Sequence, residues 1–151
     1  MYELKRTNSE DPDFIDLVKE LDRYLAVCDG DEHDFYDQFN KLDTIKKVVV
    51  LYENDKPVGC GAIKEYRKNI AEVKRMYVLP DHRNKGYASK ILEQLEEWAL
   101  ESGYDKCILE TGLRQTEAID FYYKNNYRLI PNYAPYEGME NSRCFEKNLK
   151  A

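Results

Sequence analysis

Residues 70–103, IAEVKRMYVLPDHRNKGYASKILEQLEEWALESG, constrain the fold more than any other stretch. An apolar, alternating segment runs into a basic, glycine-containing turn and then into an amphipathic helix. The turn Arg83, Asn84, Lys85, Gly86, Tyr87, Ala88 sets two cations beside the free backbone N–H groups of a first helical turn, at the positive end of a helix dipole. Such a place binds anions, and phosphate fits it best, so residues 83–89, closing with Ser89, are read as a pyrophosphate site. Gly86 permits positive φ and close approach of a ligand, and Ala88 lets the first turn sit tightly on the strand. The alternative is that Arg83 and Lys85 are ordinary surface cations, and His82 is read as a loop residue.

Around this stretch the pattern predicts a single domain over residues 1–151, since the length suffices for one well-buried core and is short for two. Residues 2–6 read as a strand, Asp11 as a helix cap and Pro12 as a first helical residue. Phe14, Leu17, Val18, Leu21 and Leu25 then recur at helical spacing. Beyond Gly30, Phe35, Phe39 and Leu42 predict a second, short helix. The acidic run from Asp29 to Asp37 is either its solvated start or an electronegative rim attracting a cationic amine. It fails the EF-hand pattern, because His33 and Asp34 stand at the fifth and sixth positions.

Residues 46–53 and 58–67 read as a hairpin about a turn at Asn54, Asp55, Lys56 and Pro57, leading into the strand from residue 70. The helix after Gly86 carries Ala88, Ile91, Leu92, Leu95 and Ala99 on one stripe and ends at Gly103. Residues 106–111, reached by a helical crossover, form a strand parallel to residues 70–79. A helix over roughly 115–125, a strand at 127–129 and a last strand from Ser142 to Leu149 complete an α/β arrangement with a mixed sheet.

Composition narrows the function classes. Acidic residues outnumber basic ones, 29 to 23, for a net charge of −6, so the overall field disfavours nucleic acid and any phosphate is bound locally. Cys28, Cys60, Cys107 and Cys144 form no CxxC pair, which signals neither a zinc site nor a disulfide framework; they read as reduced thiols. The N-terminus lacks the apolar core of a signal peptide, and no apolar run approaches the ~20 residues that span a bilayer. The expectation is a cytoplasmic protein without membrane or metal partners, folding alone or as a homodimer.

Arg83, Gly86 and Ala88 match the R/Q-x-x-G-x-G/A signature of the GNAT superfamily of acetyl-CoA dependent N-acetyltransferases, which sits after a strand and at the head of a helix. The segment AIDFYYKNNY, residues 118–127, is similar to the family's A-x-x-F-Y-x-K-x-G-F segment, and the resemblance runs from about residue 46 to the end. Two positions depart from it: Asn126 stands in place of Gly, a left-handed position that Asn also tolerates, and Gln115 in place of Asn. The stretch LETG and the tail from Pro131 are similar to small bacterial members of unassigned substrate.

The resemblance implies a mixed, mostly antiparallel, twisted sheet of six to seven strands with a splayed central strand and about four helices. It implies acetyl-CoA as co-substrate and the primary amine of a small or amino-acid-like molecule as acceptor. A non-catalytic acyl-CoA binding module and a peptide N-acetyltransferase are the alternatives. Glu72 resembles the family's strand-borne base, against the reading of a solvent-edge glutamate. In a flat strand Glu72 shares a face with Lys74, Met76 and Val78. Backbone N–H groups of Met76, Tyr77 and Val78 are expected to polarise the thioester carbonyl. Tyr122 matches the general-acid tyrosine, against the reading of an aromatic core residue; Tyr123 is turned ~100° away on the helix. Gln115 is assigned to the cofactor, and Glu110, Tyr133 and Tyr136 to the acceptor pocket.

Overall fold

The computed structural model describes residues 1–32 and 45–150. The short helix expected from Phe35, Phe39 and Leu42, and the acidic run from residue 33 onward, lie outside the described residues.

The chain opens with β1 (Tyr2–Thr7) and α1 (Pro12–Asp29). The Asp11 carboxylate accepts from the Asp13 N–H at 2.9 Å and so satisfies one orphan donor of the first turn, with Pro12 preset for helical φ. Helix α1 buries Phe14, Leu17, Val18 and Leu21, as its spacing predicts.

Strands β2 (Lys47–Glu53), β3 (Lys56–Arg67) and β4 (Ile70–Val78) form an antiparallel meander. The first turn is tighter than the sequence indicates: Asn54 and Asp55 both take positive φ, 50° and 69°, and Glu53 pairs directly with Lys56. Two residues of that hand match the twist of a hairpin, so Lys56 and Pro57 belong to the strand. Helix α2 (Tyr87–Glu101) crosses over to β5 (Lys106–Gly112), which lies parallel to β4. Helix α3 (Thr116–Lys124), β6 (Arg128–Ile130) and β7 (Ser142–Asn148) complete the chain. The left-handed position expected at Asn126 is present, with φ of 71°.

The seven strands lie in the order β1-β2-β3-β4-β5-β7-β6, and every neighbouring pair except β4–β5 is antiparallel. This is the mixed, mostly antiparallel sheet that the sequence predicts, with three α-helices among the described residues. Helix α1 packs on one face, over Val48, Val50, Cys60 and Ala62; α2 packs on the other, over Val49, Leu51, Val58 and Val73. Ile91, Leu92 and Leu95 of α2 are fully buried, and each contributes about 1.5–3 kcal/mol by leaving water. At the head of this stripe Tyr87 is buried in place of the predicted Ala88, which is only half-buried, because the large ring reaches back over the sheet edge. No described helix is long and apolar enough to cross a membrane.

Two irregularities of β4 create the site. Strand β4 pairs with β5 only from Ile70↔Lys106 to Glu72↔Ile108, after which the two diverge. Strand β5 instead follows β7 along its whole length, so the second half of β4 has no sheet neighbour on that side: this is the expected splay. The second irregularity is a bulge. Cys60 faces Tyr77 while Ala62 faces Lys74, so Gly61 opposes two residues, and Arg75 takes φ of 60°. The extra residue reverses the side-chain alternation. Met76 and Val78 therefore pack on the α2 side, and the flat-strand expectation that they share a face with Glu72 and Lys74 is corrected.

Candidate active site

The splay opens a cavity of about 120 Å³ between β4 and β5, beneath α1 and beside α3. Glu72, Lys74, Arg75 and Met76 line it from β4, Glu110 and Gly112 from β5, Gln115 and Tyr122 from the start and middle of α3, and Leu21 and Leu25 from α1.

Glu72 is 4% exposed, which removes the reading of a solvent-edge glutamate. Its Oε2 accepts from the Tyr133 hydroxyl at 2.7 Å, and its Oε1 lies 3.9 Å from the Lys74 ammonium. Burial, followed by the neighbouring Glu72 charge, pushes the Tyr133 phenol far above its ordinary range, so it stays a donor. Lys74, 9% exposed, lies 3.5 Å from the Tyr136 hydroxyl. Burial pulls its pKa down, against the opposing pull of Glu72 and Glu110. Tyr133 and Tyr136 thus both contact the buried charges of β4, and of the two Tyr136 lines the cavity.

Tyr122 lines the same cavity from α3. It is 7% exposed, met edge-on by Phe121 and Tyr127 and at a tilt by Phe145, while Tyr123 is exposed at its back. Burial first and the Glu110 charge second push the Tyr122 phenol well above 10, so it is protonated throughout the physiological range.

The N–H groups expected to hold a carbonyl fall at the splay. The Leu79 N–H donates to the Val58 carbonyl at 2.8 Å, so along this ladder the amide of Val78 points away from β3 and into the gap. By the same alternation the Met76 amide faces the gap and the Tyr77 amide faces β3, which removes Tyr77 as a backbone donor to the site; its ring packs under α1.

The basic turn has the predicted backbone. Asn84 and Gly86 take φ of 64° and 79°, which curls their peptides so that successive N–H groups converge toward the head of α2. The first intrahelical bond runs from Lys90 N–H to the Gly86 carbonyl, leaving the N–H groups of Tyr87, Ala88 and Ser89 directed outward. A Cβ on Gly86 would meet nothing within 4 Å, so the cradle is open where a phosphate would lie. The side chains differ from the expectation. Arg83 Nε donates to the Val78 carbonyl at 2.8 Å and its guanidinium lies over the Tyr77 ring. Lys85 is bound to Glu53 at 3.1 Å, and the Tyr87 hydroxyl donates to the same carboxylate. These donors, Tyr87 foremost, hold the Glu53 pKa down to about 2. Tyr87 can therefore offer a ligand its amide but not its ring.

Glu53, Lys74 and Arg75 escape the sequence reading. For Lys74 and Arg75 the signal is present, two adjacent cations inside a mostly apolar strand that also carries Glu72; Glu53, at a strand end, has none. No group of three His, Cys, Asp or Glu residues among the described ones could hold a metal ion, and Cys60, Cys107 and Cys144 are buried free thiols.

Comparison with known proteins bears on the family and the fold. Residues 13–127 match the family described as the acetyltransferase (GNAT) family. The chain is 31% identical to an IAA acetyltransferase of Azospirillum brasilense, over 89% of this chain and 90% of that protein. A structure from Klebsiella pneumoniae subsp. pneumoniae MGH 78578, named a candidate acyl-CoA N-acyltransferase, superposes with a TM-score of 0.82 at 31% identity, covering 99% of this chain and 98% of the other. The PaiA N-acetyltransferase of Thermoplasma acidophilum, solved in complex with coenzyme A, has the same fold, with a TM-score of 0.72 at 16% identity over 98% and 99%.

Proposed function

Because the chain belongs to the GNAT family of acetyltransferases, we propose that it transfers an acetyl group from acetyl-CoA to the primary amine of a small or amino-acid-like acceptor, by direct attack in a ternary complex. The observation that carries this reading is the splay of β4 from β5, which leaves one cavity with a buried carboxylate, Glu72, on one wall and a protonated phenol, Tyr122, on the other. Acetyl-CoA supplies an activated acyl group as a thioester. The cradle at residues 84–89 fits its pyrophosphate, since it offers converging N–H groups and open space at Gly86. The coenzyme A complex of the Thermoplasma protein of the same fold supports a cofactor of this class.

An alkyl amine with pKa ~10.4 is mostly protonated near neutrality and must lose a proton before attack. Glu72 takes that proton, directly or through a water. The amine nitrogen forms a bond to the thioester carbon, and the Val78 N–H stabilises the oxyanion that develops. The C–S bond breaks as the second proton of the attacking nitrogen passes to the departing thiolate, giving the neutral amide and CoA thiol, while the Tyr122 hydroxyl donates a hydrogen bond to the sulfur and keeps its proton. Titration calorimetry with acetyl-CoA tests the first half of this reading, and a screen of primary amines for CoA release tests the second. Absence of acetyl-CoA binding would overturn it.

A further inference from the structure

The bulge in β4 has a product that acetyl transfer alone does not require. In a regular strand Arg75 would point to the opposite face from Lys74; the positive φ at Arg75 brings both cations to the α1 side, at the cavity. A non-glycine residue in this conformation is held there by its surroundings, and such residues concentrate at ligand sites.

Arg75 is 5% exposed. Its Nη2 donates to Asp22 of α1, whereas Nε and Nη1, both buried, have no hydrogen-bond partner among the described residues. Buried donors are almost always satisfied, so an orphaned pair marks a missing partner. The guanidinium is planar, and Nε and Nη1 lie on its two different edges, each shared with Nη2, so the edge that Asp22 leaves open can meet a carboxylate. The cavity is lined by charges of both signs: Glu72 and Glu110 negative, Lys74 and Arg75 positive, with Lys74 3.9 Å from Glu72 and Arg75 paired to Asp22.

We propose that the acceptor is a zwitterion of the amino-acid class, its amine directed to Glu72 and its carboxylate bound by the guanidinium edge of Arg75 that Asp22 leaves open, with Lys74 beside it. This rests on the acetyl-transfer reading above. The carboxylate does not react; it fixes the amine in the orientation for attack, and molecules without it leave the Arg75 donors unsatisfied.

The test uses the full chain, acetyl-CoA, and a panel of L-amino acids, each beside its amide and its decarboxylated amine, with CoA release as the readout. The wild type should prefer the carboxylate-bearing member of the accepted set by roughly 10²-fold in kcat/KM. Arg75→Lys keeps the charge but loses the fork, and should raise KM for the acid at least about tenfold while leaving its amide and amine within about threefold. Arg75→Gln should abolish the preference. Melting curves and acetyl-CoA titration of each variant check the fold and the cofactor site, and if Arg75→Gln does not fold, the wild-type preference and Arg75→Lys decide. Equal turnover of acids, amides and amines by the wild type overturns the proposal alone, as does an Arg75→Lys effect that is the same for all three. Acetyl-CoA binding without turnover of any member overturns the proposal, while turnover of other primary amines in the wider screen would leave the acetyl-transfer reading standing.

Discussion

Tyr122→Phe removes one oxygen from the wall of the cavity and nothing else. No described residue accepts a hydrogen bond from the Tyr122 hydroxyl, so the variant orphans no partner, and the ring keeps its packing on Phe121, Tyr127 and Phe145. Stability should then change by less than about 0.5 kcal/mol, a shift of a few degrees at most in Tm. Catalysis should respond differently. Loss of a positioned proton donor costs ~10²–10⁴-fold, which at 1.36 kcal/mol per decade is about 2.7–5.4 kcal/mol of transition-state stabilisation. Burial raises the phenol pKa so far that its hydroxyl stays protonated, whereas a thiolate has a pKa near ~8.5. Full transfer is uphill, and the hydroxyl acts by donating to the sulfur as charge develops on it. The ratio of wild-type to variant kcat should therefore be flat from about pH 6 to 9. The assay is CoA release with saturating acceptor, paired with calorimetric titration of acetyl-CoA, whose affinity should be unchanged. An unchanged kcat with a native melting curve would remove Tyr122 from the chemistry, and Tyr123→Phe, on the exposed back of α3, provides the control.

Three further outcomes follow from the same geometry. Glu72→Gln retains an acceptor for the Tyr133 hydroxyl but not a base; kcat/KM should fall ~10²–10⁴-fold, most severely below the acceptor amine pKa, and a ratio to wild type independent of pH would argue against the role. Gly61→Ala would set a Cβ against Met76 Sδ and 2.9 Å from Leu95, an overpacking worth about 1–3 kcal/mol in urea denaturation that also displaces a cavity wall. For Glu53, a folded pKa of about 2 against an ordinary 4.5 means that its contribution is present above pH 4.5 and is lost as pH falls toward 2. Wild type should therefore exceed Glu53→Gln in Tm at pH 7, and the gap should close between pH 4.5 and 2; a gap of constant size would rule out the linkage.

Much of the fold was legible because it rests on local rules. The Asp11 cap with Pro12, the one-sided stripe of α1, the left-handed positions at Gly86 and Asn126, and the parallel crossover into β5 each follow from a few neighbouring residues. Features set by partners distant in sequence were hidden. Whether Lys85 faces a ligand or Glu53 depends on a strand 32 residues earlier, and whether Tyr87 is exposed depends on the same carboxylate. The burial of Glu72 depends on Tyr133, 61 residues on.

By itself, then, the sequence determined the order of the described elements and the left-handed turn at Gly86 ahead of α2, because backbone conformation and amphipathic periodicity are encoded within a turn or two of chain; the proposed roles of Glu72 and Tyr122 came from the family resemblance of their segments. Only the tertiary structure decided which side chains share the cavity. The divergence of β4 from β5 and the extra residue at Arg75 arise from pairing with β3 and β7, and a one-residue change of register turns every following side chain to the other face. That reversal moved Met76 and Val78 away from Glu72 and brought Arg75, with its two unpaired donors, to the cavity.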